Sequence, residues 1–138
     1  MRALSWFGFA PLLITTYGCT VETVSPVPVI PTAGVLIVDW SIDGLKDPNR
    51  CAQSASAAIE ITVFYTNGVH AGTFQQACTA FSTSITLNPG SYSASAQLID
   101  SAGGARTTPV SIDPFTLNPG DTLDIPVDFP ASSFFGPV

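Results

Sequence analysis

The sequence predicts an all-β protein, an antiparallel two-sheet sandwich of about seven strands that occupies residues 34–130. Apolar residues recur at every second position after Gly34, which is typical of half-buried strands. The strand-like segments begin roughly every ten residues, and asparagine, proline and glycine turn signals separate them. Helical spacing is missing from this region, where the alanine-rich run at residues 52–58 is short and interrupted by serine. These observations together favour a sandwich over a helical fold.

The first three strands follow from alternation and turn chemistry. Residues 36–43 and 59–66 each carry apolar side chains on one face and mostly polar ones on the other. Asn67-Gly68 comes next and predicts a hairpin with a type I′ turn, whose two central residues both need a positive φ. A third strand is therefore expected over residues 69–74.

Four further strands are predicted over residues 81–87, 92–98, 105–112 and 123–129, with Pro109 interrupting the third of them. Between the first two of these, Asn88-Pro89-Gly90 predicts a type II turn, because glycine accepts the positive φ of its third position. The sequence of residues 86–90 recurs at residues 116–120. We interpret the repeat as the same turn used twice at one end of the sandwich.

The last strand is expected at the edge of a sheet. Its solvent face carries Pro126 between Asp124 and Asp128. A proline flanked by carboxylates discourages pairing with a further strand, so this strand is interpreted as a protected edge.

The stretch Leu87-Asn88-Pro89-Gly90-Ser91-Tyr92 resembles a signature of transthyretin-like (carboxypeptidase-regulatory-like) and fibronectin-type sandwiches. The resemblance implies an Ig-like or prealbumin-like architecture in which the tyrosine hydrogen-bonds back across the corner. It implies no activity, because sandwiches of this kind host many functions.

The N-terminus has the layout of an export signal. Arg2 precedes an apolar stretch of roughly 12 to 14 residues, whereas about 20 are needed to span a bilayer. The Gly18-Cys19 junction that follows resembles a bacterial lipoprotein signal, although residues 16–17 depart from its usual pair. The resemblance implies that residues 1–18 are removed, that Cys19 carries the lipid, and that Thr20 favours the outer membrane, on either its periplasmic or its surface face. The alternative is ordinary secretion with Cys19 as an unpaired thiol.

The cysteine count agrees with an exported protein. Of the three cysteines, assigning Cys19 to lipid leaves Cys51 and Cys78, which we predict to form a disulfide. A metal pair with two further ligands, or two buried thiols, are the alternatives. With the strand end at residues 40–44 and the proline-glycine turns, this pair resembles small bacterial envelope lipoproteins, which implies no known reaction.

Residues 19–33 are interpreted as a tether between the lipid and the sandwich. Three prolines lie among Val, Ser and Thr, and such a segment prefers an extended conformation. The alternative is a short extra strand of Val27, Val29 and Ile30 along the sandwich edge.

Residues 131–138 are interpreted as a C-terminal tail. By strand alternation, Ile37 and Phe64 fall on the face opposite to the core residues of their strands. They therefore either form an exposed apolar patch for a partner or are covered by this tail. We expect Phe134 and Phe135 of the tail to cover them.

Charge excludes one class of partner. Ten Asp and Glu residues against four Lys and Arg give a net charge of −6. The basic surface that nucleic-acid binding requires is therefore missing.

The sequence contains few groups for catalysis or metal binding. His70 is the single histidine and has no motif around it, so we predict no catalytic residue and no cofactor. Four residues of the first strand and its following loop carry oxygen atoms of the kind that calcium binds. The spacing of these residues matches no established calcium-binding loop, so we prefer to interpret them as a solvated acidic loop. The weak calcium candidates are Asp39, Asp43, Asp47 and Asn49.

Trp40 and Tyr65 are the aromatic candidates for stacking on a sugar. Their parity places each on the apolar face of its strand, so we expect both in the core. The sequence thus favours a non-enzymatic, lipid-anchored envelope module that presents its loops to an envelope protein or glycan. A carbohydrate-binding or adhesion domain is the alternative.

Overall fold

A computed structural model describes residues 25–26 and 32–137, which form two packed sheets with seven strands in all, as the sequence predicts. The proposed signal peptide, Cys19 and the optional strand of Val27, Val29 and Ile30 lie outside the described residues. The elements are β1 Gly34–Ile42, α1 Pro48–Gln53, β2 Ala58–Tyr65, β3 His70–Ala77, β4 Ser82–Leu87, β5 Gly90–Ile99, β6 Val110–Leu117 and β7 Thr122–Phe129. Among the described residues, no helix has the length and apolar character needed to cross a membrane.

The strand order is β4-β1-β7 in one sheet and β3-β2-β5-β6 in the other. The final strand β7 lies at an edge, as predicted. The predicted two-sheet sandwich is confirmed, and its described strand pairs are antiparallel except that of β7 with β1, which is parallel. The chain crosses from one sheet to the other in the turn after β6. Thr122, the first residue of β7, then pairs with Val35 near the start of β1. The two strands therefore run in the same direction.

The core lies between the sheets and follows the predicted alternation. In β1, every second residue from Gly34 to Ile42 is buried, and the same holds in β2 from Ile59 to Val63. The Trp40 indole donates to the Cys78 carbonyl at 2.9 Å, so its polar atom is satisfied within the interior. The core expectation for Trp40 is confirmed.

A short helix, α1, was missed by the sequence analysis. It has six residues, too few to show a helical period. Its start is nevertheless encoded locally, because Pro48 occupies the first turn and the Asp47 carboxylate accepts from Asn49 N at 2.9 Å. The helix places Cys51 against Cys78, and the predicted disulfide is present, with Cα atoms 6.0 Å apart.

The hairpin at Asn67-Gly68 is confirmed, but its turn type was wrong. Gly68 has φ +86° and Asn67 has no positive φ, so a type I′ turn is excluded. Gly68 N donates to Tyr65 O at 2.8 Å, which closes a tight turn before the left-handed glycine. A two-residue turn with positive φ at both centres occurs instead at Asp43-Gly44, between Ile42 and Leu45.

The repeated segments both connect the two sheets, but they do not form the same turn. Asp121 N donates to Asn118 O at 3.0 Å and Gly120 has φ +78°, as a type II turn requires. Gly90 has no positive φ and begins β5, where it pairs with Leu117. The type II prediction for residues 88–90 was therefore wrong, because strand pairing fixes Gly90 in an extended conformation.

Strand β6 begins later than expected. The predicted strand at residues 105–112 is observed at Val110–Leu117, with a bulge opposite the segment Tyr92 to Ala94 of β5. Residues 106–107 instead bend inward, where the buried Thr107 hydroxyl accepts from Leu98 N at 3.0 Å. The strand starts only after Pro109, which cannot donate to a ladder.

The C-terminal tail folds back, but not where the sequence suggested. Thr108 N donates to Ser133 O at 2.9 Å and Phe135 N donates to Arg106 O at 3.0 Å, so the tail lies beside residues 106–108. Ile37 and Phe64 belong to different sheets and point away from the core. Outward residues of two stacked sheets lie on opposite faces, so one tail cannot cover both.

Candidate functional site

A groove with a volume of about 410 Å³ lies between β6 and β7. Among the strands that the structure describes, each of these two is the last in its sheet and pairs on one side only. The two edges face each other where the sandwich is open. We call this depression the edge groove; it is lined by residues 110–115 of β6 and by Leu123 and residues 125–128 of β7.

The floor of the edge groove is apolar. Phe115 and Val127 are buried core residues, whereas Leu123 and Ile125 pack against the core and stay partly exposed. Leu123 and Ile125 can therefore contact a bound molecule through their exposed side-chain atoms without any rearrangement of the core. Water at such a surface is readily displaced by another apolar group.

The walls of the edge groove are acidic. Asp113 on β6 and Asp128 on β7 both line it and both are exposed. One oxygen of Asp128 accepts from Ser41 Oγ at 2.7 Å and from Gly44 N at 2.8 Å, which fixes its carboxylate in position. None of the described residues that line the groove is basic.

Basic side chains of the described region lie elsewhere. Lys46 is 4.0 Å from Asp39, in the only ion pair between described residues. Arg106 Nε donates to Ser54 O at 2.8 Å and so links the end of α1 to the segment before β6. Arg50 belongs to α1. The carboxylates of the edge groove are therefore not neutralised by neighbouring cations in the described structure.

A second, smaller depression lies between β3 and β4, with a volume of about 230 Å³. We call it the rim pocket; its lining includes Tyr65, Phe74, Thr86, Asn88 and Tyr92. Tyr65 is 41% exposed, so the expectation that it belongs to the core was wrong. It is the last residue of β2, and its ring lies 5.3 Å from that of Tyr92.

Tyr92 is the fixed wall of the rim pocket. It is 1% exposed, and its hydroxyl donates to the Asn88 carbonyl at 2.6 Å, the contact that the sandwich resemblance implies. Burial raises the pKa of the Tyr92 phenol above its ordinary value, and the neighbouring Tyr65 phenol raises it further. Tyr92 therefore stays neutral over a wide pH range.

The four weak calcium candidates have separate local contacts. Asp39 lies beside Lys46, Asp43 occupies the tight turn with φ +50°, and Asp47 caps α1 through Asn49 N. In residues 25–26 and 32–137, no three His, Cys, Asp or Glu side chains converge on a point that could hold a metal ion.

His70 lies on the exposed start of β3. Its Nε2 is 2.8 Å from Thr73 Oγ1, and its ring meets the Phe64 ring edge-on at 5.8 Å between centroids. Both contacts are local to the β2–β3 sheet edge, on a strand that does not line the edge groove.

The edge groove itself was missed at the level of sequence. Asp113 and Phe115 both fell outside the strand expected at residues 105–112, so the sequence did not assign them to a face of the strand. The available signal was a second strand-like alternation beyond Pro109, with proline and carboxylate together as in β7. Comparison with protein-family models and with curated protein sequences found no match to this chain.

Proposed function

We propose that this protein is a lipid-anchored module of the cell envelope that binds another envelope protein and catalyses no reaction. The proposed localisation rests on the N-terminal sequence, in which Arg2 is followed by an apolar stretch and then by Gly18-Cys19. The Cys51–Cys78 disulfide supports it, because such bonds persist in oxidising compartments.

The edge groove is the observation that carries the binding role. A concave surface with a partly exposed apolar floor is a common kind of interaction site, and Leu123 and Ile125 provide that floor. The groove sits on two edge strands of a disulfide-linked sandwich, so its walls are held by sheet pairing. A rigid groove binds without a large ordering cost.

The anchor is tested by mass spectrometry of the membrane fraction from cells that express the full chain. We expect an acylated N-terminal Cys19, and release of the protein to the soluble fraction by Cys19→Ser. Thr16→Ser, which leaves the junction intact, serves as the control. A mature chain whose Cys19 carries no lipid would contradict the anchor.

The binding role is tested by purification from detergent-solubilised membranes. We expect one envelope protein to accompany the wild type and to be lost with Ser111→Trp, a bulky change at an exposed position of the edge groove. Val69→Trp is the matched control, since Val69 is 56% exposed on the distant β2–β3 hairpin. Equal recovery with both variants would refute a role for the groove.

Carbohydrate binding is the second candidate, and the rim pocket favours it. The exposed Tyr65 ring offers an apolar face, and the Thr86 and Asn88 side chains offer polar groups beside it. We expect any specific glycan retained on an array to be lost with Tyr65→Ala and kept with Phe135→Ala, a change at another exposed aromatic. An array with no specific retention would remove this candidate.

A further inference from the structure

Building on the proposed function, we infer that the edge groove binds a segment of the partner protein that places an apolar side chain between flanking Lys or Arg residues. The segment is recognised through its side chains and does not extend either sheet. The inference therefore names the chemistry of the partner and the manner of contact.

The apolar part of the inference comes from the floor. Leu123 and Ile125 lie next to each other on the same face of β7, and both are packed against the core at their inner ends. A groove of about 410 Å³ holds one or two large apolar side chains. Burial of the partner's apolar side chain against this floor contributes to the binding affinity without selecting one particular apolar residue.

The cationic part comes from charge complementarity. Asp113 and Asp128 stand on the opposite walls of the groove, and Asp124 adds a third exposed carboxylate on β7. The basic side chains of the described residues lie at α1, at the loop before it and near the tail. A segment with cations on both sides of its apolar residue would meet one carboxylate on each wall.

The edges of both strands argue against an added strand. Pro114 lies in β6 and Pro126 in β7, so each edge lacks one backbone donor. The bulge of β6 opposite the segment Tyr92 to Ala94 further disturbs its edge. A partner strand added to either edge would leave its own backbone carbonyl groups without a hydrogen-bond donor at these positions. Binding through side chains avoids this loss of hydrogen bonds.

Charge repulsion argues against a second copy of this chain as the molecule that binds in the edge groove. The protein has a net charge of −6, and two edge grooves brought together would place like carboxylates opposite each other. Like charges at a contact are repulsive, and no described basic residue of the groove relieves them.

The experiment uses a photo-reactive amino acid in the full chain, expressed in intact cells. It is placed at Ile125 in the floor and, separately, at the exposed Ser111, so that one position works even if the other disturbs folding. The same amino acid at Val69 reports background. Mass spectrometry then identifies the cross-linked segment.

We expect both groove positions to cross-link one segment with Lys or Arg on each side of an apolar residue. Asp113→Asn should lower the yield about two- to five-fold, the size expected for an exposed charge pair. Glu60→Gln, which removes a charge on β2, two strands away from β6 in the same sheet, should not lower it. Salt at about 0.5 M should weaken the wild-type cross-link through screening.

Each other outcome overturns the inference in a distinguishable way. A cross-linked partner segment without basic residues, or one unaffected by Asp113→Asn, refutes the cationic contact and leaves the proposed binding role standing. A cross-link to residues 19–33 of the same chain, or to a second copy seen as a dimer, assigns the groove to the protein itself. Yields no higher than at Val69 refute both the inference and the groove as a binding site.

Discussion

Thr107 satisfies a backbone donor within the interior. It is fully buried, and its hydroxyl accepts from Leu98 N of β5. We expect Thr107→Val to lower the free energy of unfolding by about 1–3 kcal/mol, because the N–H is then buried without a partner. Urea unfolding measures the change. Thr108→Val, at an exposed neighbour, is the control, and an equal loss in both variants would refute the role of the Thr107 hydroxyl.

Tyr92 makes stability depend on pH in the alkaline range. Its folded-state pKa is raised by burial and by Tyr65, whereas the unfolded chain loses this proton near a pH of about 10. Below that pH the contribution is fully present. As the pH rises past about 10, the unfolded state releases its proton first, so the free energy of unfolding falls.

The matching variant is Tyr92→Phe. Loss of the hydrogen bond to Asn88 O should cost about 1 kcal/mol at neutral pH. The variant should also lose stability less steeply than the wild type above a pH of about 10, as measured by urea unfolding over a pH series. Parallel curves for the two proteins would show that Tyr92 does not titrate differently on folding.

Residue parity correctly assigned Trp40 to the core but misplaced Tyr65. Alternation specifies which face of a strand a side chain occupies. It does not specify whether the opposite sheet extends far enough to cover that face. Tyr65 ends its strand at the rim, where its side chain is 41% exposed and its ring lies beside that of Tyr92.

At the scale of elements, the repeated segments provide a direct contrast. Gly120 has φ +78° with open space around its Cα, whereas Gly90 has no positive φ and its added Cβ would meet Tyr92 Oη at 3.4 Å, an ordinary contact. We expect Gly120→Ala to cost about 1–2 kcal/mol through left-handed backbone strain. Gly90→Ala should leave stability unchanged or raise it by up to about 1 kcal/mol. Equal losses, measured by thermal unfolding, would show that both turns need glycine.

The disulfide connects α1 to the turn before β4 over a sequence separation of 27 residues. Closing a loop of this size should stabilise the protein by about 3.5 kcal/mol, chiefly by restricting the unfolded chain. We expect reduction of the wild type to lower the free energy of unfolding by this amount. A Cys51→Ser, Cys78→Ser variant should show no response to reductant. An unchanged wild type after complete reduction would contradict the prediction.

Six of the seven strands were placed within a few residues by alternation and turn signals, because both are local properties of the chain. The start of β6 and the turn conformations at Asn67-Gly68 and Asn88-Pro89-Gly90 were not. The Asn67-Gly68 turn is closed by local hydrogen bonds, such as Gly68 N to Tyr65 O, whereas in the other two cases a longer-range contact overrides the local preference. Thr107 bends inward to reach Leu98, and Gly90 pairs with Leu117.

At the scale of the whole molecule, alternation identified two sheets but not the neighbours of each strand. The parallel pairing of β1 with β7 depends on where the chain crosses between sheets after Leu117, which no local pattern records. That crossing also leaves β6 and β7 as facing edges. The edge groove is thus a property of topology, and only its acidic and proline residues were visible beforehand.

The same topology leaves the molecule with an edge that needs protection against self-association. Pro126 lies in the middle of β7, whose outer side pairs with no described strand, and proline is tolerated in a strand where its missing N–H faces away from the ladder. Pro126→Val restores that donor on a strand rich in Leu, Ile and Val. We expect the variant to form concentration-dependent oligomers in sedimentation velocity, because exposed edges pair readily.

Pro130→Val is the matched control, since Pro130 is exposed and lies just beyond β7. The carboxylates of Asp124 and Asp128 still oppose edge pairing in the Pro126 variant, so we expect its association to increase with salt, which screens them. If the Pro126 variant sediments as the wild type does at every salt concentration, the missing backbone donor at residue 126 is not what protects the edge. The proline would then have no part in excluding a visiting strand from the edge groove.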